Sequence, residues 1–437
     1  MNVSCARPWL LGLVVLLALS GAACSESGGI SGAMDGDGGV APDDLAGGPD
    51  LGPVYPAAFP APAQGVTSGG PVLAAPRLVP VFFANDDAQV KAKVSDFMAR
   101  VGATAYWKAT TSEYGVGPAS AAAAVTLAES APDSVDEASI AKWLTDKLNA
   151  GDPQLPAADA NTLYVLFYPS NTTISAMSMR GTNTSCIDYG GYHADTALDA
   201  RHGALPVAYA VIPRCGAFGN LTGLDVITGP ASHELVEAAT DPYPSGAPAY
   251  NRIDDNHRYW RTLVGGGELG DMCESFSQVF VKLPGLPYTV QRTWSNAAAR
   301  AGHDPCVPPL DGEVYFNSVP ELDDTLMGMS MGGSYSTLDV QIPVGQSKTI
   351  TLDLFSDAPT AGPWTVRARD AATLTPGGVA TLAFAFPQNQ TQASGQNGDR
   401  LQLTITVLMA GPARGAPFVL TSKLGVTSHT WYGLVSQ

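Results

Sequence analysis

The sequence has little charge and few basic residues. Only 14% of its 437 residues are Asp, Glu, Lys or Arg, and 23 basic residues stand against 40 acidic ones, which gives a net charge of −17. The basic residues form no cluster. Binding to a phosphate backbone or to an anionic lipid surface depends on such clusters. The balance therefore argues against nucleic acid as a partner and against polybasic attachment to a membrane.

Long apolar runs are equally scarce. The one long run covers residues 9–19, follows Arg7 and precedes small residues, which is typical of a signal peptide, and it is too short to span a bilayer. Cys24 follows Ser-Gly-Ala-Ala, a sequence that resembles a bacterial lipidation site. We therefore predict a signal peptide over residues 1–23 and an outer-membrane lipoprotein whose lipid anchor is attached at Cys24. Ordinary cleavage and secretion is the alternative.

The six cysteines include no C-x-x-C pair, which disfavours a cysteine zinc site. Four of them follow Cys24, and an even number in an exported chain predicts disulfides. Three connectivities are possible. Sequence proximity favours Cys186 with Cys215 and Cys273 with Cys306.

Composition and periodicity divide the rest of the chain into three parts. Residues 24–75 are rich in Gly, Pro, Ala and Asp and predict a disordered tether. Residues 76–308 alternate buried-strand and amphipathic-helix patterns, so they predict an α/β or α+β domain. From residue 309 to 437, apolar residues recur at period two between turn residues, which predicts a β-sandwich. In the α/β domain, strands are expected over residues 78–83, 162–168 and 207–212, and helices over 89–101 and 135–148, the second opening after Ser134.

Glutamate is rare but clustered. The chain has ten, and four of them fall within about forty residues: Glu234, Glu237, Glu268 and Glu274. The centre of this cluster is residues 232–242, S-H-E-L-V-E-A-A-T-D-P. Thr228 as a cap, Pro230 in the first turn and Pro242 after the end predict a short helix of three turns.

On that helix, His233 and Glu237 are four residues apart, so their side chains share a face about 6 Å apart and can reach one ion. The spacing is that of the zincin signature H-E-x-x-H with glutamate in place of the second histidine, and Glu234 takes the position of the general base. A third ligand is needed for a tetrahedral ion with one open position. By analogy with gluzincins, Glu268 binds the metal and Asp271 orients His233, although these two roles can be exchanged.

Zinc is the first choice of ion, because a histidine is present and the spacing is zincin-like. Two carboxylates make the site rich in oxygen, so manganese and calcium stay open. The alternative without metal is a buried helix in which His233 and Glu237 hydrogen-bond to each other and to their neighbours.

Several motifs together resemble the plant phosphate-induced, exordium-like extracellular proteins and their bacterial relatives. They occur in the family's order over roughly residues 77–306, about half of the chain. The motifs are Tyr106-Trp107-Lys108, Ser112-Glu113-Tyr114-Gly115-Val116-Gly117, Cys186-x-x-x-Gly190-Gly191-Tyr192-His193, the helix segment 232–242, and Glu268-Leu269-Gly270-Asp271-Met272-Cys273. Plant members carry Asn where this chain has Asp241. The resemblance implies an extracellular protein with the H-E-x-x-E helix, and it points to His193 as a ligand or a transition-state donor; the alternative is a histidine that only packs beside a disulfide.

The sequence thus predicts an exported lipoprotein that acts as a metal-dependent, peptidase-like hydrolase. The ion would be held in a zincin-like domain by His233, Glu237 and Glu268, and Glu234 would take a proton from the attacking water. The expected substrate is a neutral or basic peptide or a polymer of the cell envelope. The alternative is a non-catalytic envelope or extracellular protein in which an ion or a polar cluster only stabilises the fold.

Overall fold

The computed structural model describes residues 53–178, 181–330, 333–411 and 415–437. The signal peptide over residues 1–23, the lipidation site Cys24 and the tether up to residue 52 lie outside the described residues. None of the helices in the described ranges is long and apolar enough to cross a membrane. Strands outweigh helices in a mixed α/β chain, so the fold class is confirmed at this level.

The part of the chain before residue 309 contains helices on both sides of a central sheet. Its helices and strands are β1 Gly65–Thr67, β2 Arg77–Phe82, α1 Ala88–Val101, α2 Ala105–Thr111, β3 Ser120–Ala121, β4 Val125–Thr126, β5 Ser134–Asp136, α3 Glu137–Ala150, β6 Thr162–Tyr168, β7 Thr173–Ser178, β8 Gly181–Thr184, β9 Tyr192–Ala197, β10 Pro206–Pro213, β11 Ala217–Phe218, β12 Leu221–Thr222, α4 Asp225–Thr240, β13 Tyr250–Ile253, α5 Asp271–Glu274, β14 Phe280–Leu283, β15 Leu286–Gln291, β16 Thr293–Trp294, α6 Asn296–Arg300 and β17 Cys306–Val307. Short 3₁₀ turns occupy Ser112–Tyr114, Ala200–His202 and Asp255–Thr262.

The central sheet has the strand order β3-β2-β6-β10-β9, with β4 also paired to β2. Strands β2, β6 and β10 run parallel, and β9 lies antiparallel to β10 at the edge. Their continuous apolar runs suit a parallel sheet that is covered on both faces. One face packs against α1, α2 and α4, and the other packs against α3. The three strands expected from the sequence in this domain are all present, with boundaries shifted by at most one residue.

Helix α4, which carries the H-E-x-x-E pattern, begins earlier than predicted. It starts at Asp225, and Leu224 at its N-cap provides no side-chain cap. Thr228 is therefore an interior residue rather than the cap, and Pro230 lies inside the helix instead of in its first turn. Proline has no backbone N–H to donate there, which weakens a helix interior. Burial of almost the whole helix offsets that weakness.

Helix α3 begins later than predicted. It starts at Glu137, and the Asp136 side chain accepts a hydrogen bond from the backbone N–H of Ser139. Ser134, the predicted cap, lies instead in β5, where it pairs with Thr173 of β7. A long-range strand pairing has therefore replaced a local capping motif.

Residues 53–75 differ from the disordered tether that composition predicts. Strand β1 pairs with β13, and Ala63 and Leu73 are fully buried. Phe59 stacks on Phe355 with ring centroids 4.0 Å apart. The segment has too few apolar residues for a core of its own, but each of these three enters a core that other segments build.

The remainder of the chain forms two facing sheets around one core. Its strands are β18 Phe316–Pro320, β19 Asp324–Ser330, β20 Gly333–Gln341, β21 Ser347–Ser356, β22 Trp364–Asp370, β23 Leu382–Ala385, β24 Ala393–Gly395, β25 Arg400–Val407, β26 Gly415–Leu424 and β27 Thr427–Ser436, with 3₁₀ turns at Ala371–Leu374 and Pro387–Asn389. The sheet orders are β18-β21-β25-β23 and β19-β20-β27-β26-β22-β24. The period-two residues Leu352, Leu354, Leu403 and Ile405 are fully buried between them, as expected of a sandwich.

Buried residues between Ile253 and Cys306 belong to the same core as the buried residues of the sandwich. Trp260 is fully buried, and its ring makes edge contacts with Trp294 of β16 and with Trp431 and Tyr432 of β27. The hydroxyls of Ser275 and Tyr432 lie 2.6 Å apart. The chain between α4 and β17 is therefore held against the sandwich.

Both predicted disulfides are confirmed. Cys186 bonds to Cys215, and Cys273 bonds to Cys306, with Cα–Cα distances of 5.2 and 5.8 Å. Disulfides persist in oxidising compartments, so the pair is consistent with export from the cytoplasm. The second one ties α5 to β17.

Candidate metal centre

Helix α4 carries three of the predicted site residues near its C-terminal end. The Nε2 atom of His233 lies 3.0 Å from Oε2 of Glu237, as the four-residue spacing predicts. Glu234 and Glu237 are 5% and 2% exposed. The helix packs against β9, β10 and β15, so these polar groups are held beneath the sheet edge rather than in open solvent.

The loop before α5 approaches this helix closely. The Oε1 atom of Glu237 accepts hydrogen bonds from the backbone N–H groups of Gly270, at 3.0 Å, and Asp271, at 3.1 Å. A Cβ atom on Gly270 would lie 2.7 Å from both that oxygen and Nδ1 of His233. The Gln291 side chain donates to the Gly270 carbonyl at 2.9 Å. Glycine is therefore required by the close approach of the loop to the helix.

His233, Glu237 and Asp271 converge on one point. One ligand atom from each lies within 4.8 Å of the others, and Asp271 Oδ1 is 4.0 Å from His233 Nε2. Glu268 is the third ligand expected from the sequence, but Asp271, expected to orient His233, joins the helix pair instead. Glu268 turns towards His193, whose Nε2 lies 3.4 Å from its Oε1.

His193 lies behind the α4 residues on strand β9. It pairs in register with Ala210 of β10, and its side chain is 5% exposed. Its Nδ1 is 3.4 Å from Glu234 Oε2 and 3.7 Å from Glu237 Oε2. His193 therefore contacts the predicted general base, although it does not line the cleft described next.

An open cleft of about 450 Å³ reaches the outer side of this cluster. Glu234, His233 and Asp271 line its floor. A Cβ atom on Gly191 would lie 2.9 Å from Cγ of Glu234, so this glycine gives the glutamate its space. The remaining walls are mostly apolar or acidic: Asp188, Tyr189, Phe218, Pro230, Leu263, Val264, Glu274 and Phe280.

Burial and mutual charge perturb the pKa values of the cluster strongly. Burial favours the neutral form of His193, but the negative charge of Glu268 outweighs it and raises the pKa of that imidazole well above its usual range. Burial also favours the neutral form of His233, but the negative charge of Glu237 outweighs it and raises the pKa of this imidazole well above its usual range. Burial raises the pKa of Glu237 to about 7 and that of Asp241 to about 6. A cluster so rich in carboxylates binds protons unless a cation replaces them.

Two further residues belong to this cluster although the sequence analysis did not assign them to it. Asp241 lies with His193 and Glu268 in a second group of converging ligand atoms. Its position, four residues after Glu237, continues the helical spacing and was a usable signal. Gln291 comes from β15, far along the chain, and no sequence pattern marks it.

Replacing Gly270 by Ala is expected to weaken zinc binding at least about tenfold, which corresponds to about 1.4 kcal/mol. The added methyl group must displace His233 or Glu237. Zinc titration by calorimetry measures the effect. Gly216→Ala is the matched control, because a Cβ there meets no atom within 4 Å. Equal affinities for the two variants would contradict the assignment of this loop to the centre.

Comparisons with known proteins found similarity to parts of solved structures. No family model and no curated protein matches it. Solved structures with partial similarity include domains 4 and 5 of the S-layer protein SbsC, with 14% identity over 27% of this chain and 54% of that one and a TM-score of 0.16. A chimeric titin Z1Z2 matches with 13% identity over 22% and 83% of the two chains and a TM-score of 0.15. An extracellular fragment of EsaA from Streptococcus gallolyticus matches with 20% identity over 21% and 23%, also at 0.15. Scores this low carry no argument about fold or function, and the exordium-like resemblance stays a prediction.

Proposed function

We propose that this protein is an exported, metal-dependent hydrolase that cleaves peptide-like bonds. The observation that carries the proposal is the convergence of His233, Glu237 and Asp271 beneath an open cleft, with Glu234 beside them on the same helix. An imidazole and two carboxylates that can share an ion, with a further carboxylate lining the cleft, are the groups that metal-assisted hydrolysis requires. The zincin-like character of the domain and the outer-membrane lipid anchor at Cys24 are parts of the same proposal.

The donor set suits a divalent cation. Imidazole nitrogen and carboxylate oxygen are both ligand types of catalytic zinc sites, which have three protein ligands and keep a further position open towards the substrate. The missing side chain of Gly270 leaves room next to both helix ligands. Because oxygen ligands outnumber nitrogen, manganese or calcium is the alternative ion.

The chemistry supplied by such an ion is the activation of a water molecule and the polarisation of a carbonyl group. Glu234 faces the cleft and is the group that takes the proton from the water and later passes it to the leaving amine. His193 acts through Glu234 as a positioning residue, since its Nδ1 approaches Glu234 Oε2 while the ring stays away from the cleft.

The walls of the cleft define the substrate class. Phe218, Leu263 and Phe280 provide apolar contacts, while Asp188 and Glu274 add negative charge. Together with the net charge of −17, this composition repels acidic polymers. We propose neutral or basic peptides, free or within the cell envelope, as the substrates.

A second, non-catalytic function is favoured by one specific observation. Glu237 already accepts two backbone hydrogen bonds from the loop and contacts His233, so the cluster joins helix α4 to that loop without further chemistry. On this alternative the cluster, with or without an ion, stabilises the fold, and the protein binds a partner of the envelope or the extracellular space.

Removal of the metal tests the hydrolase proposal. Purified protein is assayed on a broad panel of fluorogenic peptides before dialysis against a chelator, after it, and after addition of Zn²⁺ or Mn²⁺. We expect hydrolysis to fall at least about a hundredfold on chelation and to return with one of the two ions. Absence of hydrolysis from every peptide in a preparation that does bind metal would favour the non-catalytic function.

A further inference from the structure

We propose a second cation site, distinct from the His233 centre, formed by His193, Asp241 and Glu268. One ligand atom from each of these residues lies within 4.8 Å of the others. None of the three lines the cleft; Asp241 is fully buried, the His193 side chain is 5% exposed, and the Glu268 side chain is 22% exposed. It shares no residue with the His233, Glu237 and Asp271 group.

Two buried atoms at this site form no well-aligned hydrogen bond. Asp241 is fully buried, and its Oδ1 accepts the backbone N–H of Ala249 at 2.5 Å, but its Oδ2 accepts from no group. The Nε2 atom of His193, on a side chain that is 5% exposed, faces Oε1 of Glu268 at 3.4 Å but forms no hydrogen bond of regular geometry with it. Buried polar atoms without a partner are costly, at about 1–3 kcal/mol each. A cation bound by both would remove that cost.

The charges at the site also favour a bound cation. Asp241 and Glu268 bring two carboxylates together, and neither can donate a hydrogen bond to the other when both are ionised. The nearby carboxylates of Glu237 and Glu234 increase the negative charge, and His193 provides one imidazole among them. One imidazole and two carboxylates are ligands that suit Zn²⁺ or Mn²⁺.

Three separate elements supply the ligands, so an ion here would fix their relative positions. His193 comes from the edge strand β9, Asp241 from the C-cap of α4, and Glu268 from the loop before α5. Because none of its ligands lines the cleft, this ion would have a structural role, whereas the His233 group meets the cleft. The inner ion would also determine which ring nitrogen of His193, the residue that positions Glu234, carries a proton. With Nε2 bound to a cation, the remaining proton of His193 lies on Nδ1, which faces Glu234 Oε2.

Metal stoichiometry tests this site separately from the proposed function. The full protein, its His233→Ala variant, its Asp241→Asn variant and the double variant are loaded with Zn²⁺ or Mn²⁺, freed of excess ion and analysed for metal content. We expect two ions per wild-type chain, one in each single variant and none in the double variant. Asparagine at position 241 keeps an Oδ1 acceptor for Ala249, and its amide can donate to Glu268. In chelator, Asp241→Asn is therefore expected to melt no lower than the wild type.

The outcomes separate the two proposals. One ion that is lost in His233→Ala but kept in Asp241→Asn would overturn the second site and leave the proposed function standing. One ion with the reverse pattern would overturn the His233 centre and support the inner site, and no ion at all would overturn both. Glu268→Gln repeats the test should Asp241→Asn not fold, and Asp339→Asn, at a buried aspartate of the sandwich, is the control that should not change the count.

Discussion

Replacing Glu234 by Gln is expected to lower kcat for peptide hydrolysis about a thousandfold and to leave the metal content unchanged. Glutamine has the same shape but cannot take a proton from water, and general-base catalysis contributes about 10²–10⁴-fold to such reactions. Glu234 converges with His193 and Glu237, but it belongs to neither of the two proposed cation sites, so its loss removes no ligand from them. The measurements are steady-state kinetics on the best peptide of the panel and elemental analysis of the same preparation.

The isosteric change keeps the surroundings of residue 234 intact. A glutamine oxygen still accepts a hydrogen bond from His193, and the space left by Gly191 stays filled. KM should therefore change by less than about threefold. Glu129→Gln is the matched control for the loss of a carboxylate, because Glu129 lies at the surface beside Lys147. Unchanged kcat in Glu234→Gln would rule out Glu234 as the general base, and the non-catalytic function would then be preferred.

Replacing Trp260 by Ala is expected to lower the free energy of unfolding by about 3–5 kcal/mol, the usual cost of removing a large buried aromatic ring. The ring is fully buried between Trp294 and the sandwich residues Trp431 and Tyr432. Chemical denaturation measures this loss. We also expect zinc affinity to fall at least about tenfold, because the Trp260 ring packs on Trp294, whose backbone N–H donates to the carbonyl of Leu269 in the loop before Asp271.

Trp364→Ala separates loss of global stability from loss of local support. Trp364 is equally buried, but it packs inside the sandwich against Phe316 and donates a hydrogen bond to Ser318. It should lower the free energy of unfolding to a similar extent and leave zinc affinity unchanged at temperatures where the protein is folded. If Trp260→Ala and Trp364→Ala affect zinc affinity equally, the sandwich does not hold the centre in place.

Local patterns predicted those elements whose signal lies within one segment. The run from residue 162 to 168 forms a strand with those same bounds, and the alternation around Leu352 and Leu403 gives buried strand residues. The proximity of the cysteines was sufficient for both disulfides. In each case the deciding interaction is either local or limited by a short loop.

Elements whose position depends on distant partners were predicted less well. Ser134 looks like a helix cap, yet it pairs with Thr173 in a strand. Residues 53–75 have the composition of a tether, yet Ala63 and Leu73 fill cores contributed by other parts of the chain. Composition reports what a segment can bury alone, and it does not report what a neighbouring core can accept.

The sequence by itself determined that the side chains of His233 and Glu237 meet in the site. Four residues along a helix return a side chain to the same face, so His233 and Glu237 had to meet wherever the helix lay. The tertiary structure alone decided that Asp271 joins them, that Glu268 turns to His193, and that Asp241 lies within reach of both. The direction of a loop side chain depends on what holds the loop, here Glu237, Gln291 and the wall of the sandwich, and these come from segments that the local sequence does not specify.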